Sequence, residues 1–138
     1  MKKILVVDDT KAILKMAKFV LADKYDVYLS NSGELALGIL NRKPIDIVLM
    51  DVDMPDMDGV ETVQKIREMK NIKDIPVMFF TALASKETVQ RCMDVGMAGY
   101  IVKPYKPEEL LERLEKFFET TTYVPPENGN GECEEQDE

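Results

Sequence analysis

Short apolar runs alternate along the chain with stretches whose apolar residues recur at helical spacing. Residues 4–7 form an unbroken apolar run followed at once by two aspartates, which predicts a strand buried on both faces. Between Thr10 and Asp23, Ile13, Ala17, Val20 and Leu21 fall on one helical stripe, with Lys11, Lys15 and Lys18 off it. Residues 25–29 read as a second, more polar strand near a sheet edge. Residues 33–40 return to helical spacing and stop before Pro44. The pattern then predicts a strand at 45–50, a helix at 60–69, a strand at 77–80, a helix at 86–95 closed by Gly96, and a strand at 100–102. The last helix is expected after Lys106, with Pro107 at its first position and Glu108 and Glu109 favouring the positive end of its dipole. Leu110, Leu111, Leu114, Phe117 and Phe118 would form its apolar stripe.

Five β/α units of similar length predict a parallel sheet with helices on both faces. In open sheets of that kind, ligands bind beyond the carboxyl ends of the strands. The residues that follow the predicted strands are Asp8 and Asp9, Asp51, Thr81 and Ala82, and Lys103. Three acids, a hydroxyl and a lysine are thereby expected on one rim.

Composition narrows the functions open to such a rim. The 138 residues suffice for one domain with a real core. The formal charge of −8 is unevenly spread, because Glu127, Glu132, Glu134, Glu135, Asp137 and Glu138 crowd the C-terminal segment, which carries no base. The rest of the chain is near neutral and has no clustered Lys/Arg face, so direct nucleic-acid binding is not expected. After Tyr123 the sequence PPENGNGECEEQDE cannot build a core, which predicts a folded body over 1–122 and an acidic tail or interdomain linker over 123–138. The apolar run of the MKKILVVDD start is too short for a secretory signal, and no run approaches a membrane span. Cys92 and Cys133, far apart, read as free thiols of a reducing compartment, so a cytoplasmic location is expected. The chain has no histidine, which excludes Ser-His-Asp and Cys-His catalysis and His-ligated metals.

The stretch VLMDVDMPDMDG places Asp51, Asp53, Asp56 and Asp58 within eight positions. Several carboxylates gathered on a rim need a cation, and all-oxygen ligands favour a hard one such as Mg²⁺. Lys103 would offer a point charge to an anion and Thr81 a hydroxyl donor. A carboxylate beside a metal, a lysine and a hydroxyl suits nucleophilic attack on phosphorus, giving an aspartyl phosphate. Asp56 and Asp58 are assigned to the turn and the helix start around Pro55 and Gly59. Taken singly, each feature has a plainer account: Asp8 or Asp9 as a helix cap, Thr81 as a strand end, Lys103 as a solvated charge, Tyr100 as half-buried packing.

Together, ILVVDD, VLMDVDMPDMDG, MFFTA and YIVKPY resemble, in order and spacing, the receiver domain of bacterial two-component response regulators, over about residues 2–119. The resemblance implies a flavodoxin-like fold with a five-stranded parallel sheet of order 2-1-3-4-5. It implies a phosphorylation switch and not a turnover enzyme. Asp51 is then the phospho-acceptor, Asp9 a direct Mg²⁺ ligand with Asp8 assisting mostly through water, and Asp53 a ligand through its backbone carbonyl; Mn²⁺ can stand in for the metal. Thr81 and Lys103 would bind the phosphoryl oxygens, with Ala82 small enough to leave them room. Tyr100 matches an aromatic that changes rotamer with the threonine, and Lys103-Pro104 a cis peptide bond. The implied partners are a histidine kinase or phosphotransfer protein and an output domain or target meeting the face formed by residues 85–119. Asp53 and Leu83 match the positions that tune hydrolysis of the aspartyl phosphate, and apolar Leu83 is expected to slow it. Ala98 and Gly99 stand where dimerising, DNA-binding members commonly carry acids, so the charged dimer face of those members is not expected.

Two other readings can be tried on the letters. An EF-hand loop starting at Asp51 would need glycine at its sixth position, where Asp56 stands. A phosphatase of the haloacid-dehalogenase type would use Asp51 and Asp53 as nucleophile and acid/base, but Pro55 interrupts that motif and the acidic pair Asp8-Asp9 precedes the nucleophile instead of following it.

Overall fold

The apolar runs become the strands of a sheet and the periodic stretches its flanking helices. The computed structural model describes residues 1–82 and 85–126. Leu83, Cys133 and the acidic residues from Glu127 onward, on which several expectations above fall, lie outside the described residues. The elements alternate strictly: β1 (Lys3–Val7), α1 (Lys11–Leu21), β2 (Asp26–Ser30), α2 (Gly33–Arg42), β3 (Ile47–Asp51), α3 (Gly59–Arg67), β4 (Val77–Thr81), α4 (Lys86–Val95), β5 (Gly99–Val102) and α5 (Pro107–Thr120). All neighbouring strands are parallel, in the order β2-β1-β3-β4-β5. This is the flavodoxin-like arrangement expected from the sequence.

The period-2 alternation of the strands divides the core into two. Ile4, Val6, Ile47, Leu49, Met78 and Phe80 meet Leu14, Ala17 and Leu21 of α1 and Leu110 and Leu114 of α5. Leu5, Val7, Val48, Met50, Val77 and Phe79 meet α2, α3 and Cys92 of α4 on the opposite face. Each such side chain contributes about 1.5–3 kcal/mol by leaving water. β2 and β5 are the edges and are only partly buried, as the more polar run at 25–29 foretold. No helix among the described residues is long and apolar enough to cross a membrane.

Local chemistry sets the helix ends. Ser32 and Ser85 accept backbone N–H bonds from Leu35 and Thr88. Asp58 and Glu61 form a reciprocal capping box at the start of α3. Gly96 closes α4 with φ +87°, where a side chain would be strained.

Four details depart from expectation. The third strand begins at Ile47, because Asp46 turns to bond the backbone of Lys3 through both its N–H and its carboxylate. It ends on Asp51, so the acid is the last strand residue and not the first loop residue. On α1 the buried stripe is Leu14, Ala17 and Leu21; Ile13 and Val20 are half-buried, rotated toward the helix flanks. Tyr123, which the sequence assigns to the tail, packs against the cluster on the α2–α3 face.

Candidate functional site

The strand order reverses between β1 and β3, and there the carboxyl ends of two neighbouring strands carry Asp8 and Asp51. Asp8 follows β1 directly and is fully buried. Its N–H donates to the Ser30 carbonyl at 3.1 Å, and its Oδ1 accepts the Thr10 N–H at 2.9 Å, which steers the chain into α1. Thr10 is the N-cap and makes no side-chain cap bond, so Asp8 shapes the turn while its other oxygen points elsewhere. Asp9 beside it is exposed. Asp8, Asp9 and Asp51 each bring a carboxylate oxygen within 4.8 Å of the other two.

Lys103 joins them from the end of β5. Its Nζ donates to Asp8 Oδ2 at 2.9 Å and to Asp51 Oδ1 at 3.1 Å. Burial works to lower the pKa of this ammonium, but the bonds to Asp8 and Asp51 outweigh it and hold the value above the ordinary one. Burial likewise pushes the Asp51 carboxyl up to about 6; bonding from Lys103 and the Asp53 N–H opposes the rise, and Asp8 adds to it. The lysine is anchored by its own backbone, whose N–H donates to the Thr81 carbonyl at 2.8 Å, and Lys103-Pro104 is cis. Thr81, the last residue of β4, is buried at this rim. Ala82 is exposed and borders, with Ile13, Met16, Lys103, Pro104 and Tyr105, a largely apolar cavity of about 450 Å³.

The remaining aspartates take three different places. Asp53 is exposed and donates its N–H to Asp51 Oδ1 at 3.4 Å. Asp56 holds the turn at φ +68°, a conformation aspartate tolerates. Asp58 caps α3 and accepts from Arg91 at 2.9 Å. Tyr100 is not brought to the acids. It lies on β5, two strands beyond β3, beside Phe79 in register, and is 36% exposed.

Two residues of the site gave little sequence signal. Gly59 packs so closely on the Asp51 carbonyl that a Cβ there would overlap it, and its N–H donates to Val52 O at 2.9 Å. Only the Asp-Gly pair hinted at it. Tyr105 stacks on Phe80 at 5.0 Å, and its buried hydroxyl has no protein partner among the described residues. Burial raises its pKa, and Asp8 adds to the rise while Lys103 opposes it, which puts the ring beside the acid cluster. It stood at the end of YIVKPY without a role.

Three carboxylates against one ammonium leave negative charge in a place where two of them are buried. An all-oxygen donor set of this charge fits a hard divalent cation such as Mg²⁺.

Comparison with known proteins agrees with the geometry. The family described as response regulator receiver domain matches residues 4–115. Chemotaxis protein CheY-3 of Vibrio cholerae is 35% identical over 119 residues, spanning 85% of this chain and 92% of that protein. The crystallised chemotaxis protein CheY4 of Vibrio cholerae superposes with a TM-score of 0.81 at 36% identity, covering 84% of this chain and 98% of the other. The receiver domain of sensor histidine kinase PA1611 from Pseudomonas aeruginosa, solved with a magnesium ion coordinated in its active-site cleft, superposes with a TM-score of 0.79 at 29% identity, covering 86% and 98%. Fold, cluster and family match agree, and the chain belongs to the response regulator receiver domain family of two-component systems.

Proposed function

We propose that this receiver works as a phosphorylation switch in which Asp51 takes the phosphoryl group. The observation that carries the reading is the buried Asp51 carboxylate, bonded to Lys103 and within 4.8 Å of the Asp8 and Asp9 oxygens. The carboxylates of Asp8, Asp9 and Asp51 and the backbone carbonyl of Asp53 would hold Mg²⁺, or Mn²⁺ in its place. The cation, when bound, neutralises charge on the phosphoryl oxygens. An Asp51 oxygen forms the new bond to phosphorus. The donor's P–N bond breaks, and its electron pair stays on the leaving imidazole nitrogen. Since the 138 residues contain no histidine, that phosphohistidine belongs to a histidine kinase or phosphotransfer protein outside them. Lys103 and the Thr81 hydroxyl meet the charge developing on the transferred group, and the methyl of Ala82 leaves space for it.

The readout follows from the same residues. Phosphoryl oxygens draw Thr81 toward Asp51, Tyr100 turns inward from its half-exposed place on β5, and the face made by residues 85–119 changes its affinity for an output domain or target. Phosphoramidate with Mg²⁺ is expected to add one phosphoryl group to the wild type, and none once the metal is chelated. Steady release of phosphate from a phosphomonoester would instead support the haloacid-dehalogenase-like alternative using Asp51 and Asp53.

A further inference from the structure

Among the described residues, the side-chain ties to helix α4 change along its length. Its one fully buried side chain is Cys92. Ser85, at its start, accepts the N–H of Thr88, a bond that stays within the helix's own first turn. Near the middle, Arg91 Nη2 meets Asp58 Oδ2 at 2.9 Å, with the two side chains 48% and 25% exposed. Exposed pairs of this sort hold weakly.

The C-terminal end is different. Arg67, the last residue of α3, donates Nε–H to the Val95 carbonyl at 3.0 Å and Nη2–H to the Gly96 carbonyl at 2.7 Å. Its Nη1 donates to the carbonyls of Lys73 and Ile75 at 2.8 and 2.7 Å. A planar guanidinium fixes the directions of all these bonds, so the end of α4 and the link into β4 cannot slide past each other while the fork is engaged. The cation also faces the negative end of the α4 dipole. Just beyond, Gly96 turns the chain and Ala98 N–H donates to Val77 O at 2.7 Å, which starts β5. The arm carrying Arg67 is firm. α3 buries Gly59, Val60, Thr62, Val63 and Ile66, and its first residue lies against the Asp51 carbonyl.

We propose that Arg67 is a positioning residue of the switch, pinning the C-terminal end of α4 so that the helix answers phosphorylation by swinging about Val95 and Gly96 instead of moving as a whole. The inference rests on the phosphoryl-switch reading above. Movement at Thr81 and Ala82 reaches α4 at its Ser85 end, whose cap bond stays within the helix, while the far end is forked to α3. The clamp turns that movement into rotation and keeps β5, with Tyr100, in register against β4.

The test is residue-resolved amide spectra of wild type, Arg67→Ala and Arg67→Lys before and after acetyl phosphate with Mg²⁺, with phosphoryl incorporation measured on the same samples. In the wild type, shifts at residues 85–88 are expected to be several-fold larger than at Gly96 and Ala98. In Arg67→Ala that ratio falls to about one while incorporation stays within about twofold, and Arg67→Lys lies between, because one ammonium cannot span both segments. An Arg67 with a merely structural role would lower stability and incorporation together and leave the ratio unchanged. That result, or an unchanged ratio in a folded Arg67→Lys should Arg67→Ala fail to fold, overturns the inference and leaves the switch reading standing. Absence of incorporation or of any shift in the wild type removes the switch reading, and this inference with it.

Discussion

To take a phosphoryl group as proposed, Asp51 must be ionised, yet its surroundings disfavour the ionised form. Burial and Asp8 raise its pKa to about 6 against Lys103, which opposes them. In the unfolded chain the group titrates near ~4. Between those values the folded state binds more protons than the unfolded one, so stability falls as pH rises through the interval and levels off above about 6. Denaturation of the metal-free wild type and of Asp51→Asn is expected to show the variant gaining on the wild type from about pH 4 to about 6, by a final amount on the order of 3 kcal/mol. A constant gap across that range would mean that Asp51 ionises without cost. Mg²⁺ is expected to narrow the gap at pH 7, since only the wild type offers the full carboxylate set. Leu83 supports a second prediction at this scale. It cannot hydrogen-bond an attacking water, and a positioned water is a large part of hydrolysis. Leu83→Glu and Leu83→Gln are expected to shorten the lifetime of the aspartyl phosphate with Mg²⁺ affinity nearly unchanged; equal or longer lifetimes in both variants would show that Leu83 does not limit water.

Elements matter here because they deliver side chains from distant parts of the chain to one rim. β1, β3 and β4 are apolar runs buried on both faces, and each ends at the rim: Asp8 just after β1, Asp51 and Thr81 as the last residues of their strands. That much was legible in the sequence, because a buried parallel strand announces itself as an unbroken apolar run and its end as the first polar residue. Interactions without periodicity were harder to read. Arg67 looks like any basic residue in a last helical turn, and only the folded chain brings the carbonyls of Val95 and Gly96 to its guanidinium. Gly59 belongs to the same class. A methyl added there would overlap the Asp51 carbonyl and stand 2.9 Å from Met50 Cγ, and neither neighbour can retreat without moving β3. Gly59→Ala is therefore expected to cost about 1–3 kcal/mol in chemical denaturation and to lower the rate of phosphoryl acceptance. By contrast, Asp58→Ala, which removes the α3 cap and the Arg91 contact, is expected to cost about 1 kcal/mol with acceptance nearly unchanged.

At the scale of the whole molecule, the acid cluster occupies the carboxyl end of the sheet and Tyr123 packs elsewhere, against the α2–α3 face. The tyrosine packs on the α2–α3 cluster, and burial pushes its hydroxyl up to about 12 with Asp46 and Asp74 adding to the rise. Composition could not reveal this, because the tail reads as coil from Pro125 onward and a single aromatic before it carries no period. A chain ended after Pro126 is expected to match the full one in thermal unfolding, whereas one ended after Thr122 is expected to lose about 1–3 kcal/mol. Equal stability of the two would return the boundary to 122. Beyond the fold, the account turns on whether one carboxylate among 26 acidic residues becomes a mixed anhydride. Borohydride reduces an aspartyl phosphate to homoserine and leaves free carboxylates alone. Reduction after exposure to acetyl phosphate and Mg²⁺, followed by peptide mass mapping, is expected to place homoserine at position 51 and nowhere else; homoserine at another aspartate, or none in a protein that has taken up phosphate, would contradict the account.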